Sequence, residues 1–148
     1  IAETKGSVGY IGSEYALALD IPSAQLQNSS GVYVKADAHS ISAAAETDLP
    51  ADMRVKITNP SNPEAYPIST FTWIIVYKEQ AYNNRTPVKA QALVKLLKFI
   101  VGKEGQDIAE KTHYAPLSAV ALSHTAKLIE SITFDGGEIN ELEQENAK

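Results

Sequence analysis

The chain has 148 residues and a mass of 16.0 kDa, one domain's worth, and at 44% hydrophobic and 21% charged it can bury an ordinary core. It holds no cysteine, which excludes disulfides, thiolate catalysis and cysteine-bound zinc. The net charge of −5 is uneven: residues 135–148 hold five acids and one base, and the nearly neutral remainder carries no basic stripe for nucleic-acid phosphates.

The first residue is Ile1, and no basic stretch leads into an apolar run, so the expectation is a processed chain or a cut piece of a longer one. Ser7–Gly12 is a short β-favouring run bounded by glycines and reads as a buried strand. Ser13–Leu19 contains helix formers behind a Ser N-cap candidate, and Pro22 limits its continuation. Ala24–Gln27 and Val32–Lys35 flank Asn28-Ser29-Ser30-Gly31, the pattern of a hairpin. Asp37–Asp48, with Ile41 and three consecutive alanines, predicts a helix. Met53–Thr58 alternates apolar and polar residues and predicts a strand with one wet face, and residues 59–63 are a loop by composition.

Ala65–Tyr77 is the strongest β signal. Phe71, Trp73, Ile74, Ile75 and Val76 are nearly continuous, which predicts a central strand covered on both faces, with Pro67 at its entry. Neither this run nor Leu96–Val101 approaches the ~20 apolar residues of a membrane-spanning helix. Thr86-Pro87 opens the best helix, whose expected apolar stripe is Leu93, Leu96, Leu97, Ile100 and Val101. A further helical piece covers Gln106–Lys111, and Pro116 opens another with Leu117, Val120, Ala121, His124 and Leu128 on one side, ending near Gly136-Gly137. The order is β-α-β-β-α-β, a long strand, then helices, an α/β or α+β pattern with helices packed on a sheet.

Chemistry-bearing patterns are sparse. His39, His113 and His124 show no metal-ligand spacing, and neither a nucleophile elbow nor a phosphate-binding glycine loop is present. No metal or cofactor is expected, and a histidine-based hydrolase is the weakest reading. His124 reads as a core or partly buried residue and His113 as a helix-end residue. Ser29-Ser30-Gly31 could form a backbone nest for an oxyanion, but a turn between two short strands explains the same residues at lower cost and is the reading preferred. Ser69-Thr70 could line a cleft or satisfy its own backbone. Gly102–Gly105 reads as a helix-to-helix turn.

Several segments, in order, resemble the phosphate-binding proteins of bacterial phosphate ABC transporters. Gly6–Ile11 followed by Tyr15-Ala16 is similar to a strand-helix segment of that family, and Leu26-Gln27-Asn28 with Gly31–Val34 to the hairpin after it. Ile41 with Ala43-Ala44-Ala45 is similar to the next helix. Ala65–Ile74 is the most specific piece, and Leu97-Lys98-Phe99, Gly105-Gln106 and Tyr114-Ala115-Pro116-Leu117 follow in the family's order, with Ser118 where a second proline often stands. The resemblance runs from about Gly6 to Leu128 and concerns only the C-terminal half or so of the family's length.

The resemblance implies an α/β fold of the type II periplasmic-binding-protein class in partial form: a mixed sheet flanked by helices, with a strand crossing between lobes. Residues 1–63 would belong to the second lobe, residues 64–134 would complete the first, and 135–148 would be an acidic tail. The implied role is capture of inorganic phosphate and its delivery to an ABC transporter permease, without catalysis, at a periplasmic or extracytoplasmic location, free or lipid-anchored. The alternatives are a receptor for a related oxyanion or small metabolite, or a module of the same fold that has lost its ligand. The family's Arg-x-x-x-Ser-Gly-Thr segment has no counterpart around Arg54 or Arg85, so no phosphate ligand is assigned to any residue here. Pro67, Ser69 and Thr70 are the candidate hinge or cleft-side residues, near a crossover at Glu64–Thr70. An incomplete lobe leaves sheet edges and helix faces unpaired, which predicts dimerisation or strand exchange.

Overall fold

The computed structural model describes residues 3–139. In chain order the elements are α1 (Ser13–Ala18), β1 (Leu26–Gln27), β2 (Tyr33–Val34), α2 (Ala38–Ala44), α3 (Pro87–Val101), α4 (Lys103–Lys111), α5 (Ala119–Glu130), β3 (Thr133–Phe134) and β4 (Gly137–Glu138). The strands make two antiparallel pairs, β1 with β2 (Leu26 opposite Val34) and β3 with β4 (Thr133 opposite Glu138). The result is a small α/β arrangement of helices with two short hairpins.

The helices form where their ends are satisfied locally. Asp37 caps α2 in a reciprocal box with Ser40. Thr86 accepts from the Lys89 N–H at the start of α3, where Pro87 takes the first helical position. Ser118 does the same for α5 through the Ala121 N–H. Gly102 both ends α3 and starts α4, as a helix-to-helix turn requires. Gly105 matters for a different reason: a Cβ there would lie 2.4 Å from the Phe99 and Ile100 carbonyl oxygens, so only glycine lets α4 approach the end of α3 this closely.

Two apolar cores result. Ala44, Ala45, Leu49, Met53, Ile57, Ala65 and Ala121 form the first, with Val55, Phe71 and Leu117 against it. Ala90, Val94, Leu97, Ile129, Ile132 and Ile139 form the second, joined by Leu93, Val101 and Phe134. The helix α5 links them, since Ala121 sits in one and Ile129 in the other. The buried face of α3 is thus centred on Ala90, Val94 and Leu97, a rotation from the expected stripe that leaves Leu96 54% exposed.

The larger departures concern strands. Residues 7–12 and 65–77 form no ladder, nor does Met53–Thr58. Val8, Tyr10 and Ile75 are essentially fully exposed. Among the described residues, no backbone N–H of residues 71–77 donates a hydrogen bond within the chain. The run is tied to a sheet only beyond its end, by a parallel bridge between Glu79 and Thr133, with the Thr133 N–H donating to Lys78 and the Gln80 N–H to Thr133. The mixed sheet expected from the central run is therefore absent among the described residues, because a strand cannot satisfy its own backbone and the described residues offer it no neighbour. The segment read as an acidic tail also starts differently: Asp135–Glu138 belong to the β3–β4 hairpin and Ile139 is buried in the second core. Its remainder, residues 140–148, lies outside the described residues.

Candidate functional site

The loop carrying the candidate hinge residues is built around one buried amide. Asn28, 5% exposed at the β1–β2 turn, donates through Nδ2 to the carbonyls of Pro63 (2.8 Å) and Ala65 (3.2 Å). Its Oδ1 accepts from the Ser30 and Val32 N–H groups, each at 3.1 Å. Around it, the Ser29 and Ser30 hydroxyls donate to the carbonyls of Pro60 (2.7 Å) and Ser61 (2.9 Å), and the Ser29 N–H donates to Asn59 Oδ1 (2.8 Å). The Gly31 N–H is taken by the Asn28 carbonyl. Every donor of the Ser29-Ser30-Gly31 turn is thereby occupied inside the chain, so this turn is a brace and offers no open nest for an anion.

The next residues continue the brace. Pro67 accepts from the Asn59 N–H at 2.8 Å, and the Tyr66 N–H donates to Ser40 at 2.9 Å. Ser69 is 4% exposed and its hydroxyl donates to the Tyr66 carbonyl at 2.8 Å, while Thr70 is exposed and its hydroxyl reaches the Phe71 carbonyl at 3.3 Å. Partial burial pushes the Tyr66 phenol above its ordinary pKa. Pro67, Ser69 and Thr70 thus lie together, between the braced loop and the unpaired run 71–77, with the two hydroxyls committed to backbone.

The histidines are not assembled. His39 Nε2 lies 3.6 Å from Glu64 Oε2 at an exposed pair, His113 is exposed with a left-handed backbone (φ 67°) after α4, and His124 Nδ1 lies 3.3 Å from the Pro50 carbonyl. Among the described residues no group of three or more His, Asp or Glu side chains could hold a metal ion, and no helix is long and apolar enough to cross a membrane. Arg54 is paired with Asp52 (2.7 Å) on the surface.

Two features escape a reading of the sequence. Glu79 accepts from the Ala81, Gly136 and Asp135 N–H groups and from the Thr133 hydroxyl, and these bonds, led by that from Ala81, hold its carboxyl down to about 2. It thereby clamps the left-handed Asp135-Gly136 turn (φ 52° and 77°) to the end of the apolar run. The Asp-Gly dipeptide was the available signal, since such a pair favours a two-residue hairpin turn. The second feature is an open groove of about 560 Å³ between the Tyr82–Arg85 turn and the outer face of α3. Asn83 and Asn84 shape that turn with left-handed backbones (φ 48° and 57°).

No protein-family model matches the chain. It is 30% identical over 120 residues to the phosphate-binding protein PstS of Xylella fastidiosa strain 9a5c, which covers 79% of this chain and 32% of that relative. It is 29% identical over 126 residues to the phosphate-binding protein PstS of Methanocaldococcus jannaschii, covering 78% of this chain and 31% of that one. The similarity supports a PstS-like family. The chain spans about a third of the length of these curated relatives. Each relative is named for binding phosphate, not for a reaction.

Proposed function

We propose that this chain is the C-terminal portion of a two-lobed, PstS-like receptor that captures inorganic phosphate outside the cytoplasm and delivers it to an ABC transporter permease, without catalysis. The similarity to two proteins named for phosphate binding carries this reading. The exposed, strand-coded runs 7–12 and 71–77 favour it as well, because a chain covering a third of its relatives' length would leave sheet neighbours elsewhere.

In this reading residues 1–63 belong to one lobe and 64–134 complete the other, in a type II arrangement. The crossing lies at Glu64–Thr70, with Pro67, Ser69 and Thr70 on the hinge side. The groups that grip phosphate come from the remaining two thirds. Contacts from both lobes to one anion would favour the closed state by population shift. The test is titration calorimetry of the longer parent polypeptide and of this chain, each with phosphate and with sulfate. The expected result is saturable phosphate binding by the parent and none at micromolar concentration by this chain. A parent that binds no phosphate, or micromolar binding by this chain alone, would overturn the reading.

A further inference from the structure

We infer that the groove between the Tyr82–Arg85 turn and α3 is a binding site for a small organic anion, with an oxyanion head at Arg85 and Lys89 and an apolar arm against Ala92, Leu93 and Leu96. The inference stands apart from the phosphate-receptor reading, which places its ligands outside this chain. Arg85 is half-buried and held in place before any ligand arrives. One terminal nitrogen donates to the Tyr82 hydroxyl at 2.9 Å, the other reaches the Lys89 carbonyl at 3.5 Å, and the guanidinium lies 5.6 Å from the centre of the Tyr82 ring. Its Nε is buried with no hydrogen-bond partner. Among the described residues neither Arg85 nor Lys89 faces a carboxylate within ion-pair distance.

Two cations without a carboxylate partner among the described residues, both lining one end of a groove, are groups that an oxyanion would satisfy, and a pre-positioned guanidinium is suited to a carboxylate or a phosphate monoester. The first turn of the fifteen-residue α3 lies at the same end and adds its positive dipole. The opposite wall is apolar: Leu96 is 54% exposed although the rest of α3 buries its other face. A groove of about 560 Å³ is of the size that small ligands occupy.

The experiment is titration of the isotope-labelled chain with phenyl phosphate, phenylacetate, inorganic phosphate and benzyl alcohol, followed by amide chemical shifts. Saturable shifts confined to residues 82–96 are expected with phenyl phosphate, phenylacetate or both, and which of them binds identifies the head group. Inorganic phosphate should bind more weakly and benzyl alcohol not at all. R85Q should weaken binding by roughly tenfold or more, as loss of hydrogen bonds to a charged group does. K89Q should weaken it several-fold, and added salt should weaken it further. Because R85Q also removes the brace on Tyr82, K89Q and L96S carry the test if R85Q does not fold. Absence of saturable shifts, shifts unchanged in R85Q or K89Q, or inorganic phosphate binding as tightly as phenyl phosphate would overturn the inference.

Discussion

Residues 86–139 and residues 71–77 are both rich in large apolar side chains, yet they meet water differently. In the first region α3, α5 and the C-terminal hairpin bury Ala90, Val94, Leu97, Ile129, Ile132 and Ile139 against one another. In the second, Trp73, Ile74, Ile75 and Tyr77 stand 49%, 57%, 94% and 71% exposed. The difference lies in where the backbone hydrogen bonds go. A helix satisfies its N–H groups within its own segment and needs only one covered face, whereas a strand needs a neighbour along its edge before its side chains can be buried. A lone apolar strand edge is a template for pairing.

The contrast can be broken by substitution. Leu97→Ala should destabilise the chain by about 3 kcal/mol, the cost of deleting buried methyl groups, whereas Ile75→Ala should change stability by less than ~0.5 kcal/mol, both read from thermal or denaturant unfolding. An equal loss at both positions would mean that residues 71–77 are packed in solution. Asn28→Ala should cost about 2 kcal/mol, because it leaves the Pro63 and Ala65 carbonyls and the Ser30 and Val32 N–H groups without their partner. It should loosen the loop 59–70 before it affects α3, which site-resolved hydrogen exchange would show.

The smallest effect concerns the clamp that joins the two regions. Glu79 has a carboxyl pKa lowered from 4.5 to about 2, so its contribution is present above the ordinary value and is lost as pH falls through that interval. Protection of the Asp135 and Gly136 amides should therefore decline on acidification over that range, and Glu79→Gln should remove most of this pH dependence. Protection that stays constant down to pH 2 would show that Glu79 does not hold the hairpin.

Much of the helical half was legible in the sequence, because Thr86-Pro87 and Gly102 mark boundaries through local chemistry alone. The rotation of α3 was not, since the buried face is chosen by Ile129, Ile132 and Ile139, residues distant in sequence. Phe71–Tyr77 has the composition of a central strand, but β propensity describes how side chains fit a pleated, half-buried surface and says nothing about whether that surface exists in the chain. The acidic character of residues 135–148 hid the Asp135-Gly136 turn and the apolar anchor Ile139 within it. For the candidate site, the serine turn was visible as a motif, but its occupation depends on Asn59, Pro60 and Ser61, 30 or 31 residues from their partners in sequence. The Arg85 groove left no motif at all.

Amide hydrogen exchange of residues 71–77 bears most directly on the idea that these residues await a sheet neighbour from the rest of a longer receptor. It should be followed in this chain alone and in a polypeptide that supplies the remaining two thirds of the relatives' length. Near-unprotected exchange in the first and protection approaching that of α3 in the second is the expected pair of results. Strong protection in the isolated chain, or none in the longer polypeptide, would contradict it.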